Sequence, residues 1–313
     1  MNPFKFFCCV GRGLGLILLF CLTSAVGADP AVFRIATFNV ENYLSASSGS
    51  RRAKPPAAQA KVRDCILAMK PDVIALEEMG DTKALLDLQS NLKTAGLDLA
   101  YWDEISGYDT NIHLAVLSRF PIVARRPHTN ESFLLEGRRL AVSRGFAEMD
   151  IQVNPDYKFT LIAAHLKSRL PSAIADEEEW RYEEAVALRR VIDERLEQDP
   201  AQNLAVVGDF NDLQDSKSIR TIIGHGGNRL FDTRPAERNG DGFGVEGERE
   251  ARRITWTDYF AKEDVYSRID YILLGRGLQS RWLKDETYVL ATPNWGLASD
   301  HRPLLAGFAI SNR

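Results

Sequence analysis

Cysteine is scarce in this sequence. Of the four in 313 residues, Cys8, Cys9 and Cys21 fall within the first 28 residues, and only Cys65 follows. A lone thiol cannot close an internal disulfide, so the fold must stand on its hydrophobic core. Cys65 shares helical spacing with Val62, Ile66 and Met69, which marks a packed residue rather than a reactive one. Long apolar runs are missing too. The run Leu14 to Leu22 is too short to span a bilayer comfortably. Lys5 and Arg12 precede it and the small residues Ala25-Val26-Gly27-Ala28 follow, so residues 1–28 read as a secretory signal cut after Ala28, with a retained anchor as the alternative. Leu19-Phe20 before Cys21 is a poor match to lipoprotein processing. Neither charge sign dominates: the net charge is −4, and losing Lys5 and Arg12 leaves 37 basic against 43 acidic residues, or −6. That balance argues against a general nucleic-acid coat protein but allows a local basic rim. Repeats and long linkers are absent as well. The remaining 285 residues suit one large domain, residues 29–313.

What is present is an alternation of strands and helices that becomes strand-rich. Strands are expected at Phe33–Phe38, Val73–Leu76, Ile112–Leu117, Phe146–Val153, Phe159–Ala164, Leu204–Val207, Ile269–Leu274, Thr287–Leu290 and Leu304–Phe308. Asn154-Pro155-Asp156 predicts a hairpin turn. Helical period predicts helices over 57–69, 82–95 and 172–197. The acidic run Glu177-Glu178-Glu179 lies near the start of the last, where the helix dipole favours it. The Ser-rich stretch 45–54 and the charged stretch 234–253 read as surface loops. Such a chain suggests two sheets packed face to face with helices outside.

Polar residues recur at the ends of these apolar strands. They occur in Phe38-Asn39-Val40-Glu41-Asn42, Ala75-Leu76-Glu77-Glu78, Gly208-Asp209-Phe210-Asn211-Asp212, Arg268-Ile269-Asp270-Tyr271 and Ser299-Asp300-His301-Arg302-Pro303. A buried sheet tolerates carboxylates and amides at strand ends mainly where something binds. Cleaving a phosphoester needs a hard cation on the phosphoryl oxygens, an activated water and relief of charge on the leaving oxygen. Mg²⁺-type ions take oxygen ligands, and one or two carboxylates suffice. Glu78 fits as such a ligand, with Glu77, on the opposite face, as the alternative. Gly208 permits a tight turn, beyond which Asp209 can take a proton from water and Asn211 can donate to a phosphoryl oxygen. His301 suits general acid–base work because imidazole titrates near neutrality. Asp270, a carboxylate on an apolar strand, wants a partner such as an imidazole N–H. His165 ends its strand within reach of a phosphoryl oxygen. His113 reads as a packed strand residue, and His128 and His225 as loop residues.

From about Arg34 to Ala309 these motifs, in this order, resemble the endonuclease/exonuclease/phosphatase superfamily with its deoxyribonuclease I-like fold. The resemblance implies an α/β (α+β) four-layer sandwich: two packed, mainly antiparallel sheets flanked by helices, with the site at one end. It implies that Asn39 supports the metal and phosphate and that Glu78 binds the metal, in a motif usually written Gln-Glu where this chain has Glu77-Glu78. His165 matches the His of the nuclease and sphingomyelinase branches. Asp209 and Asn211 match the pair that activates the nucleophile and binds phosphate. Asp270 resembles the acid that orients the catalytic His, and Asp300-His301 match the terminal Asp-His, with Asp300 a further metal contact. The run Leu117-Ser118-Arg119-Phe120-Pro121 also matches, and Thr255-Trp256 matches a pair packed near the site. Secreted deoxyribonuclease I relatives usually carry disulfides, so the lone Cys65 favours a bacterial-type secreted member.

The expectation is therefore a secreted or periplasmic, monomeric phosphodiesterase that uses Mg²⁺ or Mn²⁺, with Ca²⁺ a further candidate, and cleaves nucleic acid. Water activated by Asp209 attacks in line, with His301 and the metal stabilising the phosphoryl charge. Arg138, Arg139, Arg144, Lys167 and Arg169 supply a basic rim, with Arg119, Lys167 and Arg169 the expected substrate contacts. The alternatives are a phospholipid phosphodiesterase of the sphingomyelinase kind, for which Tyr259-Phe260 is a faint apolar hairpin candidate, and a phosphomonoesterase. A binding module without activity fits poorly, because every catalytic group is present.

Overall fold

A computed structural model describes Met1 and residues 32–49, 51–238 and 256–310. Apart from Met1, the expected signal lies outside these residues, as does most of the 234–253 stretch. The elements run β1 (Val32–Tyr43), α1 (Pro56–Met69), β2 (Val73–Met79), α2 (Thr82–Thr94), β3 (Tyr101–Ile105) and β4 (His113–Ser118). Next come β5 (Ile122–His128), β6 (Ser132–Leu135), β7 (Arg138–Ala141), β8 (Phe146–Asn154), β9 (Tyr157–His165), α3 (Glu177–Gln198) and β10 (Leu204–Asp209). The rest are α4 (Lys217–Ile223), β11 (Phe231–Asp232), β12 (Ala236–Arg238), β13 (Asp258–Phe260), β14 (Val265–Ser267), β15 (Asp270–Leu274), α5 (Arg276–Gln279), β16 (Trp282–Leu290) and β17 (Leu304–Ala309).

One sheet has the order β12-β16-β17-β1-β2-β4-β3 and the other β11-β15-β10-β9-β8-β5. Most neighbours are antiparallel; β1–β2, β9–β10 and β12–β16 are parallel. Period-two alternation sorts each central strand into two faces. Phe33 and Ile35 of β1, Val73 and Ala75 of β2, Ala205 and Val207 of β10, and Leu161 and Ala163 of β9 meet in one core between the sheets. The alternate residues face outward. Phe38, Ile74 and Leu76 pack under α1 and α2, while Ile162, Leu204 and Val206 pack under α3 and α4. Helix, sheet, sheet, helix is the four-layer sandwich expected. Cys65 is buried in the outer core, and burial pushes its thiol up, as befits a packing residue.

Several elements differ from expectation. Strands β1, β9 and β10 run past their apolar segments into Asn39, His165 and Asp209, because the backbone ladder continues whatever the side chain. Helix α3 starts at Glu177, where the Asp176 carboxylate caps it by accepting from the Glu179 amide. The 234–253 stretch begins with β12, held by its ladder to β16. Short or half-exposed strands, β3, β5 to β7 and β11 to β14, carry too little alternation to be visible in the sequence.

Candidate active site

The inner faces of five strands change from apolar to polar at the same end. On β1 the sequence Phe33, Ile35 continues as Thr37 and Asn39. On β2, Val73 and Ala75 lead to Glu77; on β9 and β10 the last inward residues are His165 and Asp209, and on β15, antiparallel to β10, the first is Asp270. Asp209 is directly opposite both His165 and Asp270 in the ladders, and Asn39 is opposite Glu77. All six are nearly or wholly buried.

Asp209 is the hub. Its Oδ2 accepts from Asn39 Nδ2 at 3.0 Å and Asn211 Nδ2 at 3.2 Å; its Oδ1 accepts from the Asn211 amide at 2.9 Å. Asn211 has a left-handed φ of +55°, which the Asp209 cap stabilises. Gly208 is not at a turn, as expected, but inside β10. Its φ is +136°, and a Cβ there would stand 1.9 Å from the Ala164 carbonyl oxygen of β9. Only glycine permits that approach. Behind the loop, Arg181 pairs with Asp212 at 3.2 Å, and the Tyr271 hydroxyl donates to the Asp212 carbonyl at 2.8 Å.

Two imidazoles face this carboxylate. His301 Nε2 is 3.7 Å and His165 Nε2 is 3.5 Å from Asp209 Oδ2. His301 Nδ1 bonds Asp270 Oδ2 at 2.9 Å, the partnership expected from the lone carboxylate on β15. Thr257 Oγ1 accepts from the amides of Ile269 and Asp270, fixing that acid. Burial would lower the His301 pKa, but the carboxylates of Asp270, Asp209 and Asp300 outweigh it and raise it well above the ordinary value. His165 is the opposite: burial, with Arg144, His301 and Arg51 nearby, lowers it well below, so its ring is neutral. Burial pushes Asp209 up to about 7 against the pull of His301. An acid near 7 and a charged imidazole in contact form a base and a cation at neutral pH.

A second, more exposed group of acids lies beside the hub. Glu78 has φ +59° where the β2 ladder shifts register, which re-aims a side chain that regular alternation would send outward. Its Oε2 accepts from the Asn42 amide at 2.9 Å. Burial raises the Glu41 carboxyl, and so do the charges of Asp300 and Glu78, against Lys54. Glu41, close to one lysine, joins Asp300 and Glu78 in an oxygen donor set of the kind that hard divalent cations take. Among the described residues, ligand atoms of Asp209, Asp270 and His301 also lie within 4.8 Å of one another, as do those of Asp258, Asp300 and His301. His301 belongs to both groups, and a protonated imidazole whose Nδ1 is engaged by Asp270 offers an ion no lone pair, which leaves the acids around Glu78 as the candidate cation seat. Asn39 is tied at both ends, its Oδ1 accepting from the Glu41 amide at 3.0 Å.

The expected substrate contacts divide. Arg169 reaches Asp258 Oδ2 at 3.2 Å and so borders His301. Lys167 is half-buried, and its ammonium donates to Ser168 and Leu170 carbonyls. Arg119 does not join them. It pairs with Asp72 at 3.1 Å, before β2 begins, whereas Glu78 lies near the other end of that strand, roughly 20 Å away at 3.3 Å per residue. Arg144 is buried beside the site, donating to the Leu166 carbonyl; Arg138 and Arg139 lie on the β6–β7 hairpin. Glu77, the alternative ligand, belongs to the buried hub rather than to the more exposed acids around Glu78. It is wholly buried, with Oε1 accepting from Thr37 Oγ1 at 2.7 Å, and burial raises its carboxyl well above the ordinary range. His128 ends β5, bonded to the buried Glu148 at 2.7 Å rather than lying in a loop.

Other groups escaped sequence reasoning. Asp258 lies 3.8 Å from His301 Nε2, and burial raises it to about 6. Buried Glu184 accepts from the amides of Ser143 and Lys167, holding two site loops to α3. Arg51 pairs with Asp109 and donates to Asn42 Oδ1. For Asp258 the one available signal is its place in the sequence just after Thr255-Trp256; for the others periodicity carries none.

Known proteins show the same arrangement of the chain. The structure is similar to the human Nocturnin catalytic domain, with TM-score 0.60, 16% identity, and coverage of 90% of this chain and 95% of that one. It is similar to Caenorhabditis elegans TDP2, with TM-score 0.58, 14% identity, and coverage of 89% and 97%. An endonuclease/exonuclease/phosphatase protein of Bacteroides vulgatus gives TM-score 0.59 at 16% identity, covering 90% and 100%. At these identities the likeness is one of fold. Among curated proteins none matches this chain. A sequence model described as the Endonuclease/Exonuclease/phosphatase family matches residues 36–301, a span that starts on β1 and ends at His301. The chain therefore belongs to the endonuclease/exonuclease/phosphatase family and is a metal-dependent phosphoester hydrolase.

Proposed function

We propose that this protein is a Mg²⁺- or Mn²⁺-dependent phosphodiesterase that cleaves nucleic acid, secreted or periplasmic after cleavage behind Ala28, and that residues 29–313 act as one monomeric domain. One observation carries the reading: the Asp209 carboxylate is held by two asparagines and faced by two imidazoles of opposite protonation preference. Asp209 is the general base. It takes a proton from water as the water oxygen bonds to phosphorus, and the ester oxygen leaves on the opposite side. Asn39 and Asn211 orient it, Asn211 with its two side-chain N–H groups spent on Asp209 and on the Leu166 carbonyl rather than on a phosphoryl oxygen. His301, kept protonated by Asp270, presents its Nε2–H to the developing phosphoryl charge. His165, neutral, hydrogen-bonds a phosphoryl oxygen. A divalent cation held by Glu78, Asp300 and Glu41 would supply charge neutralisation there. Arg144, Lys167 and Arg169 support a polyanionic substrate.

The test is hydrolysis by the purified mature protein of plasmid DNA, RNA, sphingomyelin and an aryl phosphodiester. Cleavage of DNA or RNA is expected, as is its loss in Asp209→Ala and His301→Ala with circular dichroism unchanged. Activity on sphingomyelin with none on nucleic acid would overturn the substrate assignment. Turnover surviving in either variant would overturn the roles.

A further inference from the structure

The Tyr259-Phe260 segment, a faint hairpin candidate in the sequence, is a strand of the β13–β14 hairpin, and it stands beside the site. Asp258 bridges to His301, and the Tyr259 amide donates to the Asp300 carbonyl at 3.0 Å. Asp258 and Ser267, a cross-strand pair, meet Arg169. The next pair, Tyr259 and Tyr266, stacks with ring centroids 4.5 Å apart and planes 24° apart. Tyr266 then meets the edge of Trp256 at 4.8 Å, and Trp256 meets Trp295 at 5.0 Å. Four rings thus form a continuous row, anchored where the Arg302 guanidinium lies 3.4 Å over Trp256, one residue past His301. The row is not core: Tyr266 is 52% exposed, and the other three rings are partly exposed.

A row of half-exposed rings bordering a phosphoester-cleaving site has a chemical complement in flat rings joined by phosphodiesters. We propose that Trp256, Tyr259, Tyr266 and Trp295 form a stacking shelf for unpaired bases of a single-stranded nucleic acid whose phosphate occupies the site. This rests on the nucleic-acid reading above and narrows it. Aromatic–base stacking is tolerant of sequence and strong enough to set affinity, whereas a duplex keeps its base faces covered. A bilayer is the less fitting occupant. The hairpin tip is Ala261-Lys262-Glu263-Asp264, all exposed, so insertion would drive three charges into the acyl region. The rings lie on the stem, with the Tyr259 hydroxyl tied to Asp264 at 3.0 Å.

The experiment compares KM and kcat of the mature protein, with Mg²⁺, on a single-stranded oligonucleotide and on a strand of equal length in which most residues are abasic. The base-bearing strand should show a KM lower by about tenfold or more, at similar kcat. Tyr266→Ala should shrink that KM ratio toward one, and Tyr266→Phe should keep it. Should Tyr266→Ala not fold, as judged by circular dichroism, Trp295→Ala replaces it with the same expectation. Equal KM values for the two strands in the unaltered protein would overturn the shelf and leave the nuclease reading intact. A KM ratio untouched by the alanine variant would do the same. Absence of cleavage on any strand would overturn the nuclease reading itself. Tryptophan emission that shifts with sphingomyelin–phosphatidylcholine vesicles, but not with oligonucleotide, would assign the rings to a bilayer instead.

Discussion

Asp270→Asn isolates the charge that governs His301. The side chain is 1% exposed, its amide is fixed by Thr257, and its Oδ2 is 2.9 Å from His301 Nδ1. Asparagine fits the same space, and its oxygen can still accept from Nδ1, but the negative charge is gone. Breaking a buried ion pair from one side costs about 3–5 kcal/mol; the surviving hydrogen bond argues for about 3. For a domain of this size that corresponds to a Tm lower by roughly 6 °C. The effect depends on pH in a defined direction. The folded pKa of His301 is raised, so its stabilisation is complete below the unfolded value near 6.5 and disappears as pH rises through the folded value. The gap in Tm between the two proteins, measured in chelator from pH 5 to 9, should therefore be widest on the acid side and narrow toward alkali. In parallel, kcat at neutral pH should fall about 10²- to 10⁴-fold, because His301 loses the strongest of the charges that hold its proton and orient its ring. A Tm gap that is flat across pH, or that widens with alkali, would refute the electrostatic account of this pair.

Four further outcomes are expected. Gly208→Ala places a Cβ against the Ala164 carbonyl at a left-handed-side φ, so soluble yield and Tm should drop sharply; a variant that melts like the parent would show that the strands can part there. Glu77→Gln keeps the Thr37 hydrogen bond while removing a carboxyl whose folded pKa is raised, an acid that costs nothing below its unfolded pKa and progressively more as pH rises. Its Tm relative to the parent should therefore increase from pH 5 to 8 in chelator, and a constant or falling difference would contradict the burial of an ionisable group. Chelator should abolish hydrolysis, with Mg²⁺ or Mn²⁺ restoring it, and Glu78→Gln should raise the half-activating Mg²⁺ concentration about tenfold or more; an unchanged titration would remove Glu78 from the cation seat. Arg119→Ala should leave KM within about twofold, because Arg119 is remote from the site, while Tm should fall, because the buried Asp72 carboxylate loses its cationic partner; an unchanged Tm would contradict that pair.

Much of this site can be read from one dimension because its residues obey strand alternation. Asn39, His165, Asp209 and Asp270 each occupy the inward phase at one end of a strand whose other inward residues are mostly apolar. Polar groups in that phase are costly unless something compensates them, so their presence signals function. Alternation fails where the backbone departs from it. Glu77 obeys the pattern and faces the buried hub of Asp209 and Asp270, whereas Glu78 breaks it through its left-handed φ and faces the acid cluster. Arg119 sits in a motif resembling the family's, yet its side of β2 is the far one, and only strand direction reveals that.

By itself the sequence determined the layers: apolar alternation fixed which faces pack, and strand-end acids, amides and imidazoles fixed the chemistry on offer. Only the tertiary structure decided which of these groups meet. Ladder register sets Asp209 between His165 and Asp270, and a hairpin far along the chain brings Asp258 and a row of aromatic rings to His301. The reason is that side-chain period is a local property of the backbone, while the pairing of distant strands is settled by how all of their faces bury at once.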